Sequence, residues 1–555
     1  MPFYLVFPLL TEIAVHKSAA HRIDCSKNEK EQAMEETNFF PLGEENIDKK
    51  TVYEEENAGN EIFIDSIGDY VLADYQPEIR KILFVESELV PSGRYESGGE
   101  MEAGGTVKHR LVYLDGEDTP SSVELTSDYD YTASAGKEVR RAFASERIAS
   151  VNCRLTGPRK LSIKTKVGVV PHLISEKCLP LPSEKADTEL LFREASTIQS
   201  FFSECEETLA GEIRLDGYPK EDLRLLSASA TAAIRDLKRI PGGVSASGDL
   251  LYKLLFSVEG GAPFSVNGTL PIDCAIEGEM PEGVSITAVG YTTSFECNIE
   301  ESGEGGAVCA ISASLLLCLT GRKNSPLSVV SDAYVPEYET SCEEKKETVF
   351  ALIFAGNRSF PISERLTAFE AEWEDGLTAL HTVATPLSYS AENKNGMLTV
   401  NGEFRVRTVA MKTTDEGGVS LFPIETTRSF SLPLVRIPSD EIKTELSLRI
   451  VSPDVKVENN EIFFRCEMLV SAAVTEEKSL SSVTECTTIG EKEDKTVSLL
   501  RIYYPTAEDT LWSVAKGYRV PVRSVADANR LSDEAKLHPD KKESLSGVSR
   551  LLIVD

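Results

Sequence analysis

The chain has 555 residues, with 58 Lys and Arg against 90 Asp and Glu, for a formal net charge of −32 at pH 7. At roughly 100–200 residues per domain, this length predicts three to five domains. So acidic a chain repels a DNA or RNA backbone and disfavours an anionic lipid surface, while 41% hydrophobic residues suffice for packed cores.

The opening MPFYLVFPLL is apolar, but no positive charge precedes it, two prolines interrupt it and no A-x-A site follows. It is also far short of the ~20 apolar residues of a membrane span, so no membrane insertion is expected. Residues 1–49 read as a poorly ordered extension, with Met34 competing with Met1 as the true start. The 11 cysteines are scattered without CxxC spacing and read as reduced structural thiols of a cytosolic protein. The six histidines form neither HxxxH nor HExxH, so neither a metal site nor a cofactor is indicated.

Strand signals dominate the chain after this extension. Leu161 to Val170 alternates apolar and polar residues, and Ala307 to Leu319 is apolar enough for a buried strand. Leu446 to Val470 reads as two or three strands, broken at Pro453 and at an Asn459-Asn460 turn. The segment around TELLFREASTIQSFFSECEETLAGE fits either a short helix or an extended crossing strand.

A repeat organises these signals. Gly105-TVKHRLVYLDGED, Gly248-DLLYKLLFSVEGG and Gly402-EFRVRTVAMKTTDEGG each place a hydrophobic strand after a glycine, and the glycines lie 143 and then 154 residues apart. A second strand and a strand pair follow each copy. This predicts β modules at 50–195, 196–336 and 348–475, with a polar connector at 337–347 and a flexible linker at 476–498.

The segment 499–555 reads β-α-α-β. Asp509 is placed to cap the first helix, and Leu511, Val514, Ala515 and Tyr518 form one apolar face. Pro521 opens the second helix and Leu551-Leu552-Ile553 closes with a strand. This segment holds nine Lys and Arg against eight Asp and Glu, near neutral beside the acidic remainder.

Asp509-Thr510-Leu511-Trp512-Ser513-Val514-Ala515, Tyr518, Val520 and Asn529 make this segment resemble the LysM family. The resemblance implies a shallow groove for N-acetylglucosamine polymers, built by the loops before the first helix and after the second. Candidate partner- or glycan-binding residues are therefore Glu508, Asp509, Thr510, Leu511, Asn529, Lys541 and Lys542. Trp512, Val514, Ala515 and Tyr518 are expected as structural core. Glu508 departs from the family's glycine, and the second loop is long and charged.

In the first copy, LADYQPEIRKIL (Leu72 to Leu83) resembles the opening signature of SPOCS domains, a β-rich family tied to spore coat assembly. Asp74, Tyr75, Pro77, Ile79, Ile82 and Leu83 match; Ala73 stands where proline is usual. Gly217 to Leu226 and Glu364 to Trp373 are weaker counterparts in the other copies. The expected fold is therefore mainly β, with three tandem SPOCS-like modules and a C-terminal βααβ LysM module. That layout is similar to SipL-like spore coat anchoring proteins of clostridia. It implies a mother-cell adaptor at the forespore surface whose LysM module engages the coat-basement morphogenetic ATPase. No GxSxG, GxxxxGK[ST] or GxGxxG element is present, which argues against an enzyme. A peptidoglycan-binding LysM protein is the competing reading.

Overall fold

The computed structural model describes residues 50–554 apart from 98, 183–187, 279, 303–305, 367–376, 414–417, 440, 459–460, 491–499, 507 and 532–547. The extension at 1–49, the Asn459-Asn460 turn, and Lys541 and Lys542 lie outside these. The structure is mostly β, and no helix among the described residues is long and apolar enough to cross a membrane.

Three copies of one wiring account for the body. The first holds β1 (Lys50–Ala58), β2 (Ile62–Val71), β3 (Lys81–Pro91), β4 (Tyr95–Ser97), β5 (Glu100–Leu114), β6 (Pro120–Ser134), β7 (Arg141–Gly157) and β8 (Lys160–Pro180). The second holds β9 (Glu189–Leu215), β10 (Leu223–Ile240), β11 (Gly243–Val258), β12 (Phe264–Glu277), β13 (Ser285–Glu301) and β14 (Ala307–Tyr334). The third holds β15 (Glu339–Arg365), β16 (Leu377–Lys394), β17 (Met397–Thr413), β18 (Val419–Arg436), β19 (Ile442–Glu458) and β20 (Glu461–Ile489). In each copy three successive strands meander (β3-β5-β6, β10-β11-β12, β16-β17-β18). The last strand runs down the centre of a second antiparallel sheet: β8 between β7 and β1/β2, β14 between β13 and β9, and β20 between β19 and β15. Alternation drives the two sheets together. In β12, Leu270, Ile272, Cys274 and Ile276 are buried while the residues between them are exposed.

The repeated glycines have a shared steric cause. A Cβ on Gly105 would lie 2.4 Å from the Val90 carbonyl oxygen, on Gly248 2.1 Å from that of Ala233, and on Gly402 2.3 Å from that of Ser388. In each copy the central meander strand passes too close to its neighbour for any side chain.

A second shared device joins the copies. A leucine is bulged out of the first meander pairing in each: Leu83, Leu226 and Leu380, again 143 and 154 residues apart. A bulge reverses the direction of its side chain relative to the alternation. All three leucines enter one cluster with Val112, Leu255 and Val409 from the adjoining strands. The same position of each copy therefore meets at one hub, with pseudo-threefold character.

Several expectations need correction. The segment left open between the first two copies is strand β9, so the boundary at 195/196 falls inside an element. Residues 339–347 of the expected connector belong to β15, and 476–489 of the expected linker belong to β20. Their polar composition follows from the solvent-facing side of a long two-stranded ribbon, whose inner side buries only a few residues, Leu480, Val483 and Cys486, while backbone pairing such as Cys342 with Cys486 continues along it. Pro453 does not end a strand; it sits in a bulge of β19 between Val451 and Asp454. Cys297 and Cys309, expected as reduced, are joined in a disulfide between β13 and β14. Their Cα atoms are 6.0 Å apart, because each lies diagonally across from the other in the pairing register.

Candidate functional site

The C-terminal unit comprises β21 (Leu500–Tyr503), α1 (Leu511–Tyr518), α2 (Val522–Asn529) and β22 (Leu551–Val554). Strands β21 and β22 pair antiparallel, and the two short helices cover one face of that ribbon. Thr510, and not Asp509, caps α1. Its hydroxyl accepts from the Ser513 N–H at 3.1 Å, and the Ser513 hydroxyl accepts from the Thr510 N–H at 2.9 Å. Asp509 instead closes the preceding loop, its carboxylate accepting from the Thr506 N–H at 2.7 Å and the Tyr503 hydroxyl at 2.8 Å. Those two bonds hold the Asp509 carboxyl below its ordinary range.

Trp512, Val514, Ala515, Val520, Val525 and Ile553 form the core of the unit, with Tyr518 packed against them. Leu511, expected in the groove, is buried in the same cluster. Asn529 is likewise structural. It donates to the Val525 and Leu552 carbonyls at 2.8 and 2.7 Å and accepts from the Leu552 N–H at 2.7 Å, tying α2 to β22. Only Glu508, of the expected loop residues that are described, is exposed, with Asp509 and Thr510 half-buried.

This core is completed from outside. Tyr334, at the end of β14, enters it edge-on to Trp512 at 5.0 Å, and its hydroxyl donates to the Val520 carbonyl at 2.7 Å. A bulge at Ser331 re-aims the strand just before it, and Asp332 accepts from Trp512 Nε1 at 2.8 Å and Lys516 Nζ at 2.6 Å. Glu189 of β9 lies near the open start of α2, and burial there pushes its carboxyl up. The helices thus face the second β copy. Residues on the opposite side, including Leu500, Ile502 and Tyr504, stay exposed.

Residues 506–542 match the LysM domain family. No curated protein and no solved structure matches the chain. The LysM match spans the first loop, both helices and part of the second loop, and so contains the capping box and the Trp512 contact to Asp332. Nothing in the local sequence marks Asp332 or Tyr334 as LysM contacts; the pair lies two residues apart on one strand face, 180 positions before Trp512.

A second constellation lies where the three copies meet. Arg322 of β14 reaches Glu56 of β1 through Nε and Nη2, at 3.1 and 2.7 Å, and Glu445 of β19 through Nη2 at 2.8 Å. His172 of β8 lies 3.1 Å from Glu56 and 3.2 Å from Glu445 through its two ring nitrogens, and stacks on Phe143. Ser200 of β9 donates to Glu56. Burial drives the His172 imidazole towards its neutral form, but the flanking carboxylates of Glu445 and Glu56 outweigh it and hold the pKa at about 9. Burial opposes ionisation of the Glu445 carboxyl as well, yet His172 and Arg322 hold it at about 2, and Arg322 likewise keeps Glu56 well below the carboxylate range. Glu56, His172 and Glu445 have a donor set a metal could use, all within 4.8 Å of one another. Arg322 already supplies the cation that this carboxylate pair requires, so the geometry reads as an ion-pair junction between copies.

Proposed function

We propose that the chain is a non-enzymatic adaptor of spore coat assembly, in which a three-copy β body holds one LysM module towards a protein partner. The observation that carries this reading is the dock. Asp332 and Tyr334 take hold of the helices, and the first LysM loop is left facing outwards with Tyr504 70% exposed. An ordered, anchored module with an open face is what an adaptor needs, since rigid presentation lowers the ordering cost of binding.

The coat assignment is supported by the SPOCS-like signature and by the order of three β copies before the LysM match. The signature is a working joint in this fold. Arg159 donates to the Ala73 and Gln76 carbonyls at 2.7 and 2.6 Å, and Tyr113 donates to the Pro77 carbonyl at 3.2 Å. Ile79 is buried and Leu83 delivers the hub leucine, whereas Tyr75 is exposed. On this reading the partner is the coat-basement morphogenetic ATPase, and the place of action is the mother-cell side of the forespore surface. LysM domains commonly bind peptidoglycan, and the open first loop favours this as the second reading.

The test uses the full chain, because the LysM core contains Tyr334 of the body. The immobilised protein is exposed to sporulating-cell lysate and, separately, to soluble peptidoglycan fragments. Capture of the coat ATPase, weakened at least tenfold by Tyr504→Ala and Glu508→Gly with an unchanged melting temperature, supports the adaptor. Retention of glycan without the ATPase overturns it in favour of peptidoglycan binding.

A further inference from the structure

The three copies line a half-open cavity of about 530 Å³, within the range of small-molecule sites. Its walls come from the same strands of each copy: β3 and β7, β10 and β13, β16 and β19, with β11, β12 and β17 behind them. It carries five cationic side chains although the chain as a whole is at −32.

The acidic groups of the lining are already answered. Glu88 pairs with Arg110 at 2.9 Å, Glu146 accepts from the Tyr129 and Tyr131 hydroxyls, and Asp454 lies 3.5 Å from Lys456. Burial pushes the Glu86 carboxyl up, towards its neutral form. The cations are not matched in the same way. Arg405 and Arg407 share the single carboxylate of Glu425. Arg449 donates to the Gly290 carbonyl and stacks on Tyr291 at 4.8 Å, with no carboxylate partner among the described residues. Lys253 donates to the Thr382 and Pro453 carbonyls, and burial lowers it to about 8 against the opposing influence of the Glu86 and Asp454 carboxyls beside it. Arg147 holds Glu61 through Nε and Nη2, stacks on Tyr389 at 4.8 Å, and leaves Nη1 buried without a partner.

We propose that this cavity binds a small polyanion of phosphate or carboxylate chemistry, held by Arg147, Lys253, Arg405, Arg407 and Arg449. The cations come from all three copies, so a ligand with charges at more than one end neutralises walls that a monovalent ion reaches singly. Planar guanidiniums fixed on tyrosine rings suit bidentate contacts to phosphate or carboxylate oxygens. The Nη1 of Arg147, buried without a partner, and Arg449, which meets only a backbone carbonyl and a tyrosine ring, are the donors such an anion would satisfy.

The experiment is calorimetric titration of the full chain at low ionic strength with inorganic pyrophosphate and, separately, with citrate. The expected result is saturable one-to-one binding of at least one of them, with a rise in melting temperature. Binding of pyrophosphate alone selects phosphate chemistry, of citrate alone carboxylate chemistry, and mutual competition places both in one cavity. Arg449→Gln and Arg405→Gln each weaken binding more than tenfold, while Arg523→Gln, on the exposed face of the LysM module, leaves it unchanged. Absence of saturable binding to the folded wild-type chain overturns the proposal, whatever the variants do. So does binding that Arg523→Gln weakens as much as Arg449→Gln.

Discussion

Two contacts between parts of this chain are built around charge, and they are built differently. At the junction of the copies, Arg322 and His172 are buried against Glu56 and the half-buried Glu445, and each charge answers another. At the LysM dock one carboxylate, Asp332, takes two donors, while the Lys516 side chain stays 40% exposed and the burial falls to Tyr334 and Trp512. An enclosed ion cluster adds little net attraction once desolvation is counted, but deleting one member leaves a buried charge unanswered. A half-exposed ion pair adds little and costs little to lose. The junction therefore makes the three copies fail together, and the dock lets the module part from the body through the loss of packing.

The largest effect expected is at the junction. Arg322→Ala leaves Glu56 and Glu445 to share the single cation of His172 and should cost about 3–5 kcal/mol in urea unfolding of the body. A loss under about 1 kcal/mol would put the two contacts in the same class. At the dock, Tyr334→Ala removes a ring that is 2% exposed and should cost about 3 kcal/mol of local stability. Hydrogen exchange should show that loss in α1 and α2 and not in the hub strands.

The junction also sets a pH window. The folded His172 value of about 9 lies above the unfolded value of about 6.5, so its contribution is full below that and is lost as pH rises through about 9. Glu445 is depressed to about 2, so its contribution is full above the unfolded value of about 4.3 and is lost as pH falls towards 2. Urea midpoints of the body should peak between these unfolded values and decline from pH 7 to 10; a rise over that interval would refute the assignment. The smallest effect is Lys516→Ala, under about 1 kcal/mol by thermal melting, because solvent screens its pair with Asp332.

The repeat was legible because the glycines at 105, 248 and 402 answer a steric demand within each copy, and local demands leave local patterns. The hub was harder to see. Leu83, Leu226 and Leu380 keep the same spacing, but a bulge breaks the alternation that gives a strand residue its side. The junction was invisible, since Glu56, His172, Arg322 and Glu445 are ordinary charged residues until the fold encloses them. In the LysM segment the helices and their core were readable from periodicity. The roles of Asp509, Leu511 and Asn529 were not, because a loop tie, a core residue and a strand staple use the same residue types as a binding groove. The polar stretches at 339–347 and 476–489 read as connectors because backbone pairing carries most of the ribbon and only a few residues, among them Leu480, Val483 and Cys486, are buried.

The position of Tyr334 and Asp332 also decides how the molecule bears mechanical load. Both sit at the end of β14, which runs antiparallel between β13 and β9 as the middle strand of its sheet. While the dock holds, tension applied to the C-terminal module enters the body along that strand and meets first the ladder to β9, from Tyr334 back to Lys323, and then the ladders to both β9 and β13, stressed lengthwise many bonds at a time. An edge strand would peel bond by bond under the same pull. An anchor point on the central strand is thus the arrangement in which a tether resists traction best.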